Sequence, residues 1–273
     1  GCGCSSVVPL MTFPDVPTQA TMVLRDAASA RAFPRARMEI GYCESCELIC
    51  NTAFDDSVLR YGEGFEESQF GSSTFRAFAE ALAERLVRDI DGVGGHIVEL
   101  GCGKGEFLEL LCERSGIAGV GIDPACDPSR IRAEFGDRIT IDRRFYSDAH
   151  AEMIRDAALV CCRHTLEHLG EPLAFLRLLR SHLDGRPETL VYFDVPDTDH
   201  VIEDGAFWEM NYEHCAYYTP PSLVRLFERA GFSVRELGVE YGGQNLFIKA
   251  TSGAVETPPD VPSAGEARAR AMA

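Results

Sequence analysis

The 273-residue sequence has no apolar run near the roughly 20 residues that a bilayer-crossing helix needs, and no basic segment at its start leads into an apolar stretch. Neither a membrane span nor a secretory leader is expected, so the cytoplasm is the expected location. Positive charge is scarce as well: 26 Lys and Arg stand against 43 Asp and Glu, for a formal charge of −17 with no basic stripe. Such a surface repels phosphate backbones, which argues against nucleic acid as a direct partner. A disulfide framework is not expected either, because the eleven cysteines are odd in number, Cys102 lies in a glycine loop, and Cys161 and Cys162 lie in a strand. The remaining composition, 45% hydrophobic and 25% charged, suits one large α/β domain with a small appendage. The chain starts at Gly1 without Met and runs into a Pro-rich and Ala-Arg tail after Thr251, so it reads as trimmed or as a piece of a longer protein.

The richest segment is Ile97-Val98-Glu99-Leu100-Gly101-Cys102-Gly103-Lys104-Gly105, an apolar strand entering a glycine turn. Twenty residues past Gly103, Asp123 closes a second strand, Gly119 to Asp123. Glycines remove the Cβ atoms that would block a tight strand-to-helix turn, so a ligand can lie on bare amides while the acid on the next strand accepts from ribose hydroxyls. A dinucleotide site would carry G-x-G-x-x-G and present a helix N-terminus to a pyrophosphate. The spacing here is G-x-G-x-G, and the Glu99 carboxylate disfavours phosphate and favours a cationic ligand end. In this respect the loop resembles motif I of the class I S-adenosylmethionine-dependent methyltransferases. The resemblance implies that S-adenosylmethionine is held by Glu99, Gly101, Cys102, Gly103, Gly105 and Asp123, with His164 facing cofactor or acceptor.

Along the rest of the chain, Phe75, Phe78, Leu82, Leu86 and Ile90 recur at helical spacing. Strands are then expected at 96–100, 118–123, 138–143, 158–163 and 189–195, alternating with helices at 105–114, near 128–135, 149–157 and 171–183. Alternation of that kind implies a parallel sheet covered on both faces. Thr219 caps a helix opening with Pro220-Pro221 and ending at Gly231, and Gly242-Gly243 joins two final strands, 232–241 and 244–250, as a hairpin. The fold class is therefore α/β, a Rossmann-like sheet finished by an antiparallel hairpin over 72–250. Residues 51–71 lack periodicity and read as a linker, as do 251–273.

Residues 1–50 have a different character, with Cys2 and Cys4 separated by about forty residues from the C-x-x-C pair Cys43 and Cys46. Two such knuckles resemble a tetrahedral structural zinc site, whose bonds replace the core that so short a segment cannot build. A remnant that has lost one ligand, since the partner of Cys2 would precede Gly1, and unligated buried cysteines are the alternatives.

Methyl transfer from a sulfonium needs an aligned acceptor, exclusion of water and removal of one proton. The chain offers a histidine beside a carboxylate, Glu213-His214, in a loop with Asn211 and the aromatics Trp208, Tyr212, Tyr217 and Tyr218, which is expected to line a pocket. Glu167-His168 lies where a helix begins, and His168 is read as a hydrogen bonder at the pocket edge. His96, His150, His182 and His200 have no partner pattern and are read as solvated.

Taken in order, the cysteine knuckles, the glycine loop, the Leu166-Glu167-His168 turn, Val195-Pro196 and the Tyr212-Glu213-His214 to Tyr217-Tyr218-Thr219 run resemble the zinc-containing sugar C-methyltransferases of deoxysugar biosynthesis. That resemblance implies a nucleotide-linked 4-keto sugar as acceptor, methylation next to the carbonyl, and His214 as general base assisted by Glu213. The family's Tyr-His-Glu-His run is matched at Glu213 and His214, whereas Asn211 and Tyr212 occupy its first two positions. Asn211 can donate to an enolate oxygen, and Tyr212 supplies a phenol one residue away. The family's further carboxyl-terminal domain has no counterpart before Ala273. An O-methyltransferase of natural-product assembly and a noncatalytic cofactor-binding module are the competing readings.

Overall fold

The computed structural model describes residues 6–59 and 68–254. Cys2, Cys4, the centre of the expected 51–71 linker and the tail beyond 254 lie outside the described residues. Among the described residues, no helix is long and apolar enough to cross a membrane.

The elements run β1 (Val7–Pro17), α1 (Ala27–Arg31), β2 (Arg35–Cys43), β3 (Ile49–Asn51), α2 (Ser73–Asp89), β4 (His96–Leu100), α3 (Glu106–Ser115), β5 (Gly119–Ile122) and β6 (Ile139–Asp142). They continue with α4 (Ala151–Arg155), β7 (Ala157–Arg163), α5 (Pro172–His182), β8 (Leu190–Pro196), α6 (Thr198–Glu203), β9 (Ala216–Tyr217), α7 (Pro220–Ala230), β10 (Ser233–Glu240) and β11 (Asn245–Thr251). Seven strands form one sheet in the order β10-β11-β8-β7-β4-β5-β6, parallel from β6 to β8, with β11 antiparallel to β8.

Alternation along the central strands decides what each face buries. Val98, Leu100, Val160, Cys162, Val191, Phe193 and Val195 pack into one cluster with Leu176, Leu179, Leu223 and Phe227 of α5 and α7. Ile97, Leu159, Cys161 and Tyr192 point the other way, against Phe75, Leu82 and Leu86 of α2 and Phe107, Leu108 and Leu111 of α3. Each large apolar side chain so buried contributes about 1.5–3 kcal/mol, which lets the sheet stand without disulfides. Local signals set the helix ends. The Ser72 hydroxyl accepts from Phe75 N at the start of α2, and Thr219 and Ser222 form a reciprocal cap on α7, which Gly231 closes at φ 92°.

The helix expected near 128–135 is instead two 3-10 turns, Pro128–Arg130 and Ala133–Arg138, the second interrupted by Gly136 at φ 48°. Around 149–157 the helix shortens to α4 after a 3-10 turn at Asp148–His150.

The amino-terminal segment differs most from its sequence reading. It builds an antiparallel sheet, β1-β2-β3-β9, whose last strand comes from the far end of the chain. Met38, Ile40, Tyr42 and Ile49 have a cluster of their own with Tyr212 and Tyr217. The alternation of Arg35, Arg37 and Glu39 with Met38, Ile40 and Tyr42 is the sequence signal for this sheet. Cys43 and Cys46 flank the β2–β3 turn, where Glu47 at φ 61° donates its N–H to Cys43 O at 2.8 Å and pairs with Arg225 at 3.0 Å.

Candidate active site

The chain order reverses between β4 and β7, so their carboxyl ends open the crevice in which such sheets bind ligands. At one end of it lies the glycine turn. Gly101, Gly103 and Gly105 all have positive φ (70°, 52° and 78°), and a Cβ on Gly101 would overlap the Thr165 side chain, while one on Gly105 would come 2.5 Å from Ile131 Cδ1. Asp123 leaves the end of β5 beside this turn, where its two carboxylate oxygens accept from Gly103 N (2.9 Å) and Ala125 N (2.7 Å). Cys102 contributes backbone only, because its buried thiol lies against Gly121 and bonds to Cys126. Glu99 is 3% exposed, with Oε2 lacking any hydrogen-bond partner. Burial pushes its carboxyl up to about 8, against the pull of Arg163. Arg163 itself is committed elsewhere, with Nε 2.8 Å from Asp194 Oδ2 and its guanidinium 4.4 Å above the Phe107 ring.

At the other end four side chains from distant segments meet. His164 follows β7 at φ 44°, a conformation that β-carbon sterics disfavour. Its Nδ1 lies 3.6 Å from Glu167 and its Nε2 3.8 Å from Asp194. Burial pushes the imidazolium down, but Asp194 and Glu167 together outweigh it and the pKa rises. His164 thus faces acids of its own strand ends, not the glycine turn. Glu167 is 1% exposed, and neither carboxylate oxygen has a hydrogen-bond partner. Burial raises its pKa, yet the surrounding imidazoles win and hold it below the usual value.

His168 donates Nδ1–H to Glu213 O at 3.0 Å and turns Nε2 toward Glu167, 4.0 Å away. His214 donates Nδ1–H to Glu209 O at 2.9 Å, and its ring meets that of His168 edge to face at 4.8 Å. A carbonyl can only accept, so this bond assigns the proton to Nδ1 and the lone pair to Nε2. Burial, with His168 beside it, pushes His214 down to about 4, so the ring is neutral.

Of the expected catalytic set, Asn211 and His214 come together, with Asn211 Oδ1 accepting from His214 N at 3.2 Å. Glu213 and Tyr212 do not join them. The Glu213 carboxylate accepts from Ala20 N at 2.9 Å, and the Tyr212 phenol accepts from Asp55 N at 2.9 Å inside the amino-terminal cluster. The reason is β9: pairing Ile49 with Tyr217 ties this loop to the first sheet and turns alternate side chains away from the crevice. Tyr217 and Tyr218 are likewise buried, and only Trp208, 57% exposed, meets solvent as a pocket wall would. His150 is also corrected, being fully buried rather than solvated, with Nδ1 bonded to the Ser147 turn. His182 is nearly buried and bonds Tyr146 OH at 2.7 Å. Sequence reasoning missed Glu167 as the carboxylate of the histidine cluster, although it stands next to His168, and it had no signal for the Glu209 carbonyl.

Residues 70–237, more than half of the chain, match the family described as a methyltransferase domain. The chain belongs to that family. By sequence this methyltransferase is 25% identical over 264 residues to the C-methyltransferase NovU of Streptomyces niveus, covering 93% of the chain and 60% of that protein. It is 29% identical over 164 residues to the ubiquinone biosynthesis O-methyltransferase of Aeromonas salmonicida, covering 54% of the chain and 67% of that protein. The chain therefore spans about 60% of the length of the first of these relatives.

Among solved structures, 1,6-didemethyltoxoflavin-N1-methyltransferase of Burkholderia thailandensis superposes with a TM-score of 0.50 at 17% identity, over 68% of this chain and 83% of that one. N,N-8-amino-8-demethyl-D-riboflavin dimethyltransferase of Streptomyces davawensis gives 0.51 at 18%, over 66% and 56%. Both establish the fold, a class I S-adenosylmethionine-dependent methyltransferase sheet.

The residues at the glycine turn fit that cofactor. The orphaned, buried Glu99 oxygen suits a cationic amino group, the side-chain-free turn admits a ligand to the backbone, and the Asp123 carboxylate stands beside that turn, bonded to Gly103 N.

Proposed function

We propose that this methyltransferase moves a methyl group from S-adenosylmethionine to a small acceptor, a nucleotide-linked 4-keto sugar methylated at the carbon next to its carbonyl, and that His214 removes the acceptor's proton. One observation carries the reading of the base: the Glu209 carbonyl accepts from His214 Nδ1 and so leaves the lone pair on Nε2, in a ring that has a nitrogen within 4.8 Å of a Glu167 oxygen. The cofactor supplies an electrophilic methyl on a sulfonium with a good leaving group. Glu99, the glycine turn and Asp123 hold it, while His214 takes the proton and Glu167 sits close enough to offset the positive charge that then forms on the ring. Asn211 orients His214 from behind, its Oδ1 accepting from His214 N and its amide nitrogen lying 3.4 Å from Glu209 O. The resemblance to a C-methyltransferase along 93% of the chain supports carbon as the acceptor. The likeness to an O-methyltransferase favours the second reading, in which His214 deprotonates a hydroxyl.

Incubation with methyl-labelled S-adenosylmethionine and a nucleotide-linked 4-keto sugar should give a product whose labelled methyl resonates as carbon-bound. An oxygen-bound methyl would replace this reading with the second, and no transfer to any acceptor would leave a binding module.

In the amino-terminal sheet, Cys43 and Cys46 at the β2–β3 turn, with Cys2 and Cys4, are proposed as ligands of a structural zinc. An all-thiolate site leaves no open position for catalysis. Metal analysis of protein purified without chelator should find about one zinc lost in a Cys43→Ser, Cys46→Ser double variant. Zinc retained by that variant would refute the assignment.

A further inference from the structure

A second buried charge stands on the face of the sheet that carries Glu99. In the parallel pairing of β4 with β7, Glu99 lies beside Cys161 and Leu100 beside Cys162, so Arg163 at the end of β7 comes level with Gly101, where the glycine turn begins. Side chains alternate along a strand, and Arg163, two residues after Cys161, therefore leaves the sheet on the same face as Glu99. The Arg163 side chain is 8% exposed, and its Nε donates to Asp194 at 2.8 Å. The Phe107, Phe75 and Phe78 rings lie 4.4, 5.7 and 5.9 Å from the guanidinium carbon and hold the group from three sides. Nη2 is left over: it is buried without a hydrogen-bond partner, and so is Glu99 Oε2. A buried donor and a buried acceptor of opposite charge are each costly to leave unmade, yet these two do not close on each other.

From these two orphaned groups on one face we propose that Arg163 receives the α-carboxylate at the methionyl end of S-adenosylmethionine while Glu99 takes the amino group, so that the pair reads a zwitterion and not merely a cation. The proposal rests on the glycine turn being the cofactor's site. An α-amino acid carries its ammonium and its carboxylate on a single carbon, so an acid and a base on neighbouring strand ends satisfy both at once. Arginine suits the role because its guanidinium keeps its charge at every working pH and offers several N–H groups in one plane. One edge can therefore stay on Asp194 while Nη2 donates to the ligand. Each buried charge then has a partner of opposite sign, which removes the cost of leaving it alone.

The test is calorimetry of S-adenosylhomocysteine against its decarboxylated and its deaminated forms. Wild type should bind the decarboxylated form at least about tenfold more weakly, because that form leaves Nη2 unmade. In the double variant Arg163→Gln, Asp194→Asn, which strands no buried charge, the preference should shrink to within about threefold. Asp194→Asn alone should keep it, and circular dichroism verifies that both variants fold. Equal binding of the parent and the decarboxylated form by wild type, which needs no variant, overturns the role of Arg163. So does an undiminished preference in the folded double variant. The deaminated form reports on Glu99 separately, and its penalty should vanish in Glu99→Gln. If wild type discriminates against the decarboxylated form but not the deaminated one, Glu99 leaves the site and Arg163 stays. If wild type does not bind S-adenosylhomocysteine at all, the cofactor reading of the glycine turn falls and takes the assignment of Arg163 with it.

Discussion

The two ends of the crevice are built by different means. The glycine-turn end is one continuous strand-turn-helix, Glu99 to Glu106, with one acid from the neighbouring strand, and its backbone geometry is dictated by three glycines in positive φ. The histidine end gathers His164, Glu167 and His168 from the turn after β7 and His214 from a loop some fifty residues on, which is held from behind by β9 pairing with the amino-terminal sheet. A local motif tolerates change elsewhere in the chain, whereas an assembled cluster depends on every element that positions it. Catalytic sites commonly take this second form because loops vary while the sheet stays fixed.

If the ends are functionally separate, His214→Ala should lower turnover by about 10²–10⁴-fold and leave S-adenosylhomocysteine affinity nearly unchanged. Single-turnover kinetics with calorimetry measures both, and wild-type turnover by a folded variant would move the base to His168 or His164.

The converse substitution, Asp123→Ala, should weaken S-adenosylhomocysteine by about tenfold or more, since leaving a buried polar partner unmade costs about 1–3 kcal/mol. Asp123→Asn should lose less, because one oxygen remains to accept from Gly103 N or Ala125 N. Unchanged affinity in the Ala variant would remove Asp123 from the cofactor site.

A third experiment probes Glu99 by pH. Its folded-state pKa is raised to about 8, so in the unliganded protein it holds a proton at pH 7 that a cationic amino group would displace. Binding should therefore release a proton and tighten by about fivefold between pH 7 and pH 8, as the competent ionised fraction grows. The sign for stability is opposite: a raised carboxyl favours the fold at low pH, and that contribution fades as pH rises from about 4.5 through 8. Binding enthalpies independent of buffer ionisation would contradict proton release, and Glu99→Gln should abolish it.

The smallest effect is expected where sequence placed a catalytic phenol and the structure does not. Tyr212→Phe should leave turnover within about twofold while costing about 0.5–1.5 kcal/mol of stability through the lost bond to Asp55 N. A loss of turnover approaching that of His214→Ala would restore Tyr212 to the chemistry.

Much of the fold was legible because its signals are local. Periodicity at Phe75 to Ile90 marked α2, the Thr219-Pro220-Pro221 cap and Gly231 bounded α7, and Gly242-Gly243 announced the hairpin of β10 and β11. The amino-terminal sheet is only half legible: Met38, Ile40 and Tyr42 alternate, but its fourth strand, Ala216–Tyr217, is two residues long and carries no pattern of its own. The direction of Glu213 and Tyr212 depends on that pairing, so their neighbours could not be read from adjacency to His214.

By itself the sequence determined the glycine turn, Asp123 beside it and the parallel sheet ending in a hairpin, since steric freedom at glycine and side-chain periodicity act within a few residues. Only the tertiary structure decided which carboxylate faces His214. Glu167 lies there and Glu213 does not, because a strand added to the far sheet rotates one residue away from the crevice while the turn after β7 buries the other against three imidazoles.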